Sequence, residues 1–269
     1  MKIINLYCEG KRGSHDFDIL EKVIDGHLSI TIKPIGGKYG ANAIMEYQER
    51  NGNARSDFYL LFKDRDFDQP IPEKESLIID RKTYYSYRTT IENYLLDAKT
   101  FFHFLQQQQN NYGLDTEEAV KTLFIKVAKD LQYYQAVRHT LGKLRFANSF
   151  DTTWVAGSGT LPQALDLASC KARAWQLIEK ALSNSKQLWT KEIFETTLQE
   201  FLTLFDENFF HKLKFLVYYQ GKDFAKALTK ELDSFPMDNY YKYAKKHFDY
   251  TQYPDLVELR TIIEKQLTN

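Results

Sequence analysis

Acidic side chains stand at the ends of two apolar runs. The run KIINLYC (residues 2–8) is followed by Glu9 and Gly10, and the run in DFYLLFKD (residues 57–64) is followed by Asp64, Arg65, Asp66, Phe67 and Asp68. Carboxylates at alternate positions repel one another unless a salt-bridge partner, a metal ion or water lies among them. Arg65 is the counter-charge inside the run, and Asp68 reads as a turn residue before Gln69–Pro70. Glu9 from one strand and Asp64 and Asp66 from another can converge without local strain. Oxygen donors of this kind suit Mg2+ or Mn2+, whereas no histidine–cysteine grouping suggests zinc. Two such ions, about 4 Å apart, activate water and stabilise a leaving oxygen in phosphodiester cleavage. Lys222, in GKDF, and Lys38, in GGK, are the cations placed to offset charge developing on a phosphate.

Alternating elements must hold these groups. KIINLYC, HLSITIKPI, DFYLLFKD and SLIID read as strands, with a helix at DFDILEKVI and a short one at AIMEYQER. That order implies an α/β fold, a mostly parallel sheet flanked by helices. Ligands of such sheets gather beyond the C-terminal strand ends, where Glu9, Asp64 and Asp66 fall. From Thr89 the pattern turns helical. Thr89 and Glu92 fit a capping box, which gives Glu92 a structural reading beside a functional one. Val120, Leu123, Phe124, Val127, Leu131 and Tyr134 fall on one helical face. LKFLVYYQ (residues 213–220) reads as a late strand rejoining the sheet. The organisation expected is therefore a core from 1–100, a large α-helical insertion lobe over 101–211 and a return to the core over 212–269.

Composition removes several function classes. Lys+Arg and Asp+Glu balance at 36 each, so no global field draws in nucleic acid or an anionic membrane, and any polyanion site is local. Neutrality also favours association, including a homodimer. Two cysteines, Cys8 and Cys170, cannot build a disulfide or zinc framework. No apolar run approaches the ~20 residues of a membrane span, and MKIINLYCEG lacks the long apolar segment of a signal peptide. The chain is expected to be cytoplasmic. Tyr84, Tyr85 and Tyr87 are expected to serve packing rather than base stacking. KYAKKHF, the compact basic cluster, reads as a solvated helix face.

An apolar strand ending in Glu-Gly, followed by a later one ending in Asp-x-Asp, resembles the Toprim pattern of topoisomerases, bacterial primases and OLD-type nucleases. INLYCEG and YLLFKDRDFD carry it here. TTIENYLLDA and FLVYYQGKDF are similar to a narrower group, the OLD-like Toprim effectors of PARIS-type phage defence, which work beside an ABC-type ATPase. The resemblance covers roughly residues 1–100 and 212–250. It implies metal ligands at Glu9, Asp64 and Asp66, a further acidic site residue at Glu92, and a catalytic or phosphate-contacting lysine at Lys222. It further implies a metal-dependent endonuclease acting on tRNA or DNA and held inactive by its ATPase partner. Toprim proteins often carry an acid soon after Glu-Gly. Here KRGSH delays Asp16, which reads as a helix-start residue and not a ligand. The competing expectation is a non-catalytic metal-binding Toprim subunit that regulates or docks an ATPase.

Overall fold

The computed structural model describes residues 3–27, 29–37, 40, 43–44, 46–47, 58–67, 69–144, 161–182 and 190–268. Lys38 and Asp68 lie outside them, as does most of the expected loop NSFDTTWVAGSGTLP. Two compact units divide the chain. A sheet unit comprises Met1–Arg65, Ile71–Ile91 and Lys242–Asn269, and a helical unit comprises Asp66–Pro70 and Glu92–Tyr241.

The sheet unit is an α/β structure. Its five strands are β1 (Ile4–Cys8), β2 (Ile30–Pro34), β3 (Phe58–Lys63), β4 (Ile78–Asp80) and β5 (Thr83–Tyr85), in the order β2-β1-β3-β5-β4. All pairings are parallel except β4 with β5. Strands β1 and β3 lie in the middle and are buried almost throughout, as continuous apolar runs in parallel sheets must be. Alternation splits their side chains between two faces. Tyr7, Tyr59 and Leu61 form one cluster, joined by Ile35 and Ile44. Ile4, Leu6, Cys8, Leu60 and Phe62 occupy the alternate positions and are equally buried. Helix α1 (His15–Val23) contributes Phe17, Ile19, Leu20 and Val23 to this core.

The C-terminal segment is stitched into the same unit. Helix α10 (Pro254–Thr268) accepts the Tyr87 N–H on Asp255 Oδ2 and the Leu77 N–H on Glu258 Oε2, each at 2.9 Å. Arg260 donates to the carbonyls of Val23 and Asp25. Lys245, in the expected solvated cluster, pairs with Asp18.

The helical unit contains α2 (Ala98–Leu105), α3 (Glu117–Lys143), α4 (Leu167–Leu182), α5 (Lys191–Leu204), α6 (Glu207–His211), α7 (Phe215–Tyr218) and α8 (Gly221–Glu231), and α9 (Met237–Lys246) begins in it. The expected face of α3 is buried at Val120, Phe124, Val127, Leu131 and Tyr134, with Leu123 at its margin. Thr116 caps its start by accepting the Ala119 N–H.

Three expectations are corrected. LKFLVYYQ is not a strand: it turns at Leu213, whose φ is +52, and continues as α7. A short apolar run carries no periodicity to separate strand from buried helix. Phe215 and Tyr219 instead pack among Phe209, Phe210 and Phe224. Accordingly the helical unit runs to Tyr241 rather than stopping at residue 211, and the return to the sheet unit consists of helix, not strand. The Thr89–Glu92 capping box is also absent. Residues 91–94 form a 3-10 turn, and α2 starts at Ala98 with Asp97 as its cap, accepting the Thr100 N–H at 2.7 Å. No described helix is long and apolar enough to cross a membrane.

Candidate functional site

The parallel register of β1 and β3 aligns Cys8 with Phe62, which brings Glu9 level with Lys63 at the C-terminal edge of the sheet and sets Asp64 one residue further on. Lys63 Nζ lies 3.3 Å from Glu9 Oε1, with 6% of the lysine side chain and 19% of the glutamate side chain exposed. The ammonium also lies 5.7 Å from the Tyr85 ring centroid, and β5 is the next strand in the sheet. A buried lysine is costly unless paired, and Glu9 is its charge partner here. Asp64 is half-buried where β3 ends.

Arg65, the expected local counter-charge, also anchors the segment after β5. Fully buried, it donates from Nε to the Tyr87 carbonyl and from Nη2 to Thr89 Oγ1, while its N–H binds Ser86 Oγ. It thereby ties the exit of β3 to the segment after β5. Lys63 is the cation beside Glu9. The register of two parallel apolar runs was the signal for it, since the residues just beyond each run must face each other.

Asp16 stands in the first turn of α1, as expected of a helix-start residue, and also holds the Glu-Gly turn. Its carboxylate is 9% exposed, accepts the Gly10 N–H at 2.6 Å and receives the Ser14 hydroxyl. The Glu-Gly turn is thus folded back onto the start of α1. A Cβ on Gly10 would meet both Asp16 Oδ1 and Ser14 Oγ at 2.1 Å, so the close approach requires glycine. Cys8 precedes this turn, and burial, with Asp16 nearby, pushes its thiol well above the usual range. It is a core thiol rather than a nucleophile.

Asp66, Glu92 and Lys222 belong to the helical unit. Asp66 adopts φ +50, a left-handed conformation that aspartate tolerates and most residues avoid. Glu92 is 4% exposed and Lys222 Nζ lies 3.5 Å from its Oε1, with the lysine side chain 47% exposed. Glu92 Oε2 is buried with no hydrogen-bond partner among the described residues. A buried carboxylate oxygen in that condition costs free energy that no capping role offsets here. Burial, with the charge of Glu92 nearby, raises the Tyr241 phenol well above its usual range.

Gly221 brings α8 against this turn. A Cβ there would meet Glu92 Cβ and Asn93 Oδ1, each at 2.8 Å. Asn93 in turn donates to the Leu216 and Tyr219 carbonyls, satisfying the end of α7.

Glu9 and Asp64 thus share one sheet edge, and Glu92 meets Lys222. Among the described residues, no three of His, Cys, Asp and Glu group closely enough to hold a metal. The donors themselves are all carboxylate oxygens, which fit a hard divalent cation. Lys63 already meets part of the charge of Glu9, so a cation bound there shares that carboxylate with an ammonium. No protein-family model matches the chain, and no curated protein matches it.

Proposed function

We propose that the protein is a Toprim-like, metal-dependent endonuclease that hydrolyses phosphodiester bonds in tRNA or DNA, the toxic effector of an anti-phage system restrained by an ABC-type ATPase. The observation that carries the reading is the register at the C-terminal sheet edge, which puts Glu9 and Asp64 on adjacent parallel strand ends. Support also comes from Glu92, a buried carboxylate with no capping duty beside Lys222.

In this reading Glu9, Asp64 and Asp66 hold Mg2+ or Mn2+. When bound there, such an ion would supply activation of water and stabilisation of a leaving oxygen. Lys222 meets a non-bridging phosphate oxygen and offsets the charge that develops on it. Glu92 keeps the lysine ammonium charged and oriented. Asp16 and Gly10 hold the turn that presents Glu9. The defence role and the ATPase partner rest on the Toprim-effector resemblance of INLYCEG, YLLFKDRDFD and FLVYYQGKDF.

The Lys63–Glu9 pair favours a second reading, a non-catalytic subunit in which the acids bind an ion or only a lysine. Purified chain incubated with Mn2+ and either tRNA or duplex DNA separates the two. The nuclease reading expects cleavage that chelator, Glu9→Ala and Asp64→Asn each abolish. Cleavage of neither substrate, or cleavage that survives Glu9→Ala, would falsify it.

A further inference from the structure

Lys222 and Asp66 stand far apart in sequence, yet one buried side chain of the helical unit reaches the neighbours of both. Arg138, 8% exposed, lies late in α3. Its Nη1 donates to Asp223 Oδ2 and, at 2.6 Å, to Gln220 Oε1. Gln135, one turn earlier on the same helix face, donates to Asp223 Oδ2 at 2.9 Å and accepts the Gln220 N–H on its Oε1 at 3.1 Å. Two side chains of α3 therefore clasp the residue before α8 and the third residue within it. Lys222 lies between these anchors, with its ammonium on Glu92.

The same guanidinium also lies over the Phe67 ring. Arg138 Cζ lies 4.6 Å from the Phe67 ring centroid, and the His139 ring meets Phe67 edge-on at 4.7 Å. Gly142, one turn further along α3, lets the Phe67 backbone in: a Cβ there would meet the Phe67 carbonyl oxygen at 2.4 Å. Phe67 follows Asp66, whose left-handed backbone needs outside support to persist.

A buried ion pair is weak evidence for stability, because desolvation offsets much of its attraction, and an apolar pair of similar volume often serves as well. What such a pair supplies is geometry. We propose that the Arg138–Asp223 pair is a positioning device that fixes Lys222 against Glu92 and the Asp66 segment against α3 together, within the helical unit. Gln135 and Gln220 make the clasp directional. The proposal rests on the nuclease reading for its consequence in catalysis, but not for its geometry.

Two readouts keep these apart. In chain carrying 13C-methylated lysines, the Lys222 signal is assigned by its loss in Lys222→Arg. That signal is expected to shift on Glu92→Gln in the otherwise unaltered chain. It is expected to lose this response in the double variant Arg138→Met/Asp223→Leu, which removes both charges and keeps its melting temperature. Persistence of the response in the folded double variant overturns the proposal whether or not the protein cleaves anything. Asp223→Asn keeps an acceptor for Arg138 and Gln135, and should weaken the response without unfolding the helices. An undiminished response in that variant counts equally against the proposal. Where the unaltered chain cleaves, the double variant should lose roughly tenfold or more in kcat with KM held, as small misplacements of reacting groups do. That loss should shrink in a Lys222→Ala background to the share carried by the Asp66 segment, whereas a fully additive loss refutes positioning through Lys222. Failure of the unaltered chain to cleave removes the nuclease reading and leaves the spectroscopic result to decide the positioning.

Discussion

Replacing Lys63 with methionine keeps most of the side-chain length and removes the ammonium. At 3.3 Å, two unit charges attract by on the order of 5 kcal/mol at an effective dielectric of about 20. Most of that attraction is offset by desolvation of the lysine, of which 6% is exposed. Breaking a fully buried pair costs about 3–5 kcal/mol. Glu9 keeps part of its hydration, with 19% of its side chain exposed, so a loss of about 2–3 kcal/mol is expected. The lone carboxylate can then be repaired by a cation. At about 100 times its Kd, a bound ion contributes ~2.7 kcal/mol, enough to restore most of the loss. The unaltered chain should gain less from the same ion, because Lys63 competes for the oxygen. Hydrogen exchange of β1 and β3 amides, with and without Mn2+, reads the stability of this unit without assuming that the whole chain unfolds as one. Equal Mn2+ protection in both chains would refute the competition by Lys63, and no protection in Lys63→Met would refute the metal site at Glu9.

The other predictions address the turn, the acid and the C-terminal helix. Gly10→Ala should cost about 1–3 kcal/mol by expelling the Asp16 carboxylate from the Gly10 N–H, seen as lost amide protection in β1 and α1. Glu92→Gln should change stability by less than about 1 kcal/mol, since its partner Lys222 is half exposed, yet reduce cleavage by roughly 100-fold or more. Unchanged cleavage would return Glu92 to the scaffold. The Arg260 guanidinium, hydrogen-bonded to Glu264, holds that carboxyl below the usual glutamate range, with His27 adding to the effect. A depressed folded pKa means that the stabilisation is present above the unfolded pKa and fades as pH falls through the folded one. Amide protection in α10 should therefore decline in acid, and Glu264→Gln should flatten that decline.

Much of the sheet was legible because β1, β3 and β4 carry apolar runs bounded by charge or glycine and β2 alternates apolar and polar residues, and β1 and β3 match KIINLYC and DFYLLFKD closely. Strand β5 was missed: Thr83–Tyr85 is too short to show a period, and the tyrosines after it suggested a connection. LKFLVYYQ misled for the opposite reason, since a fully buried turn of helix and a buried strand look alike in a short apolar run. The capping box was misplaced because Thr89 meets both residue-type rules but gives its hydroxyl to Arg65. Only a tertiary contact decides that competition. The site acids were legible as residues that follow strands. Lys63, Asp16 and Arg138 were not, because their roles depend on register, on a fold-back and on a helix face, none of which residue spacing states.

The sheet unit is assembled from three separated stretches of chain, and the last of them carries Asp255, Glu258 and Arg260. Synthesis runs from the N-terminus, so the Glu9–Asp64 edge leaves the ribosome long before α10 exists to close the unit. The helical unit can fold first, as domains do during translation, while the sheet unit waits for residues 254–268. A chain that stops short of residue 254 lacks the contacts that Asp255, Glu258 and Arg260 make with Tyr87, Leu77, Val23 and Asp25. For a protein proposed to be toxic to its own cell, that order of assembly delays closure of the sheet unit until residues 254–268 have been made.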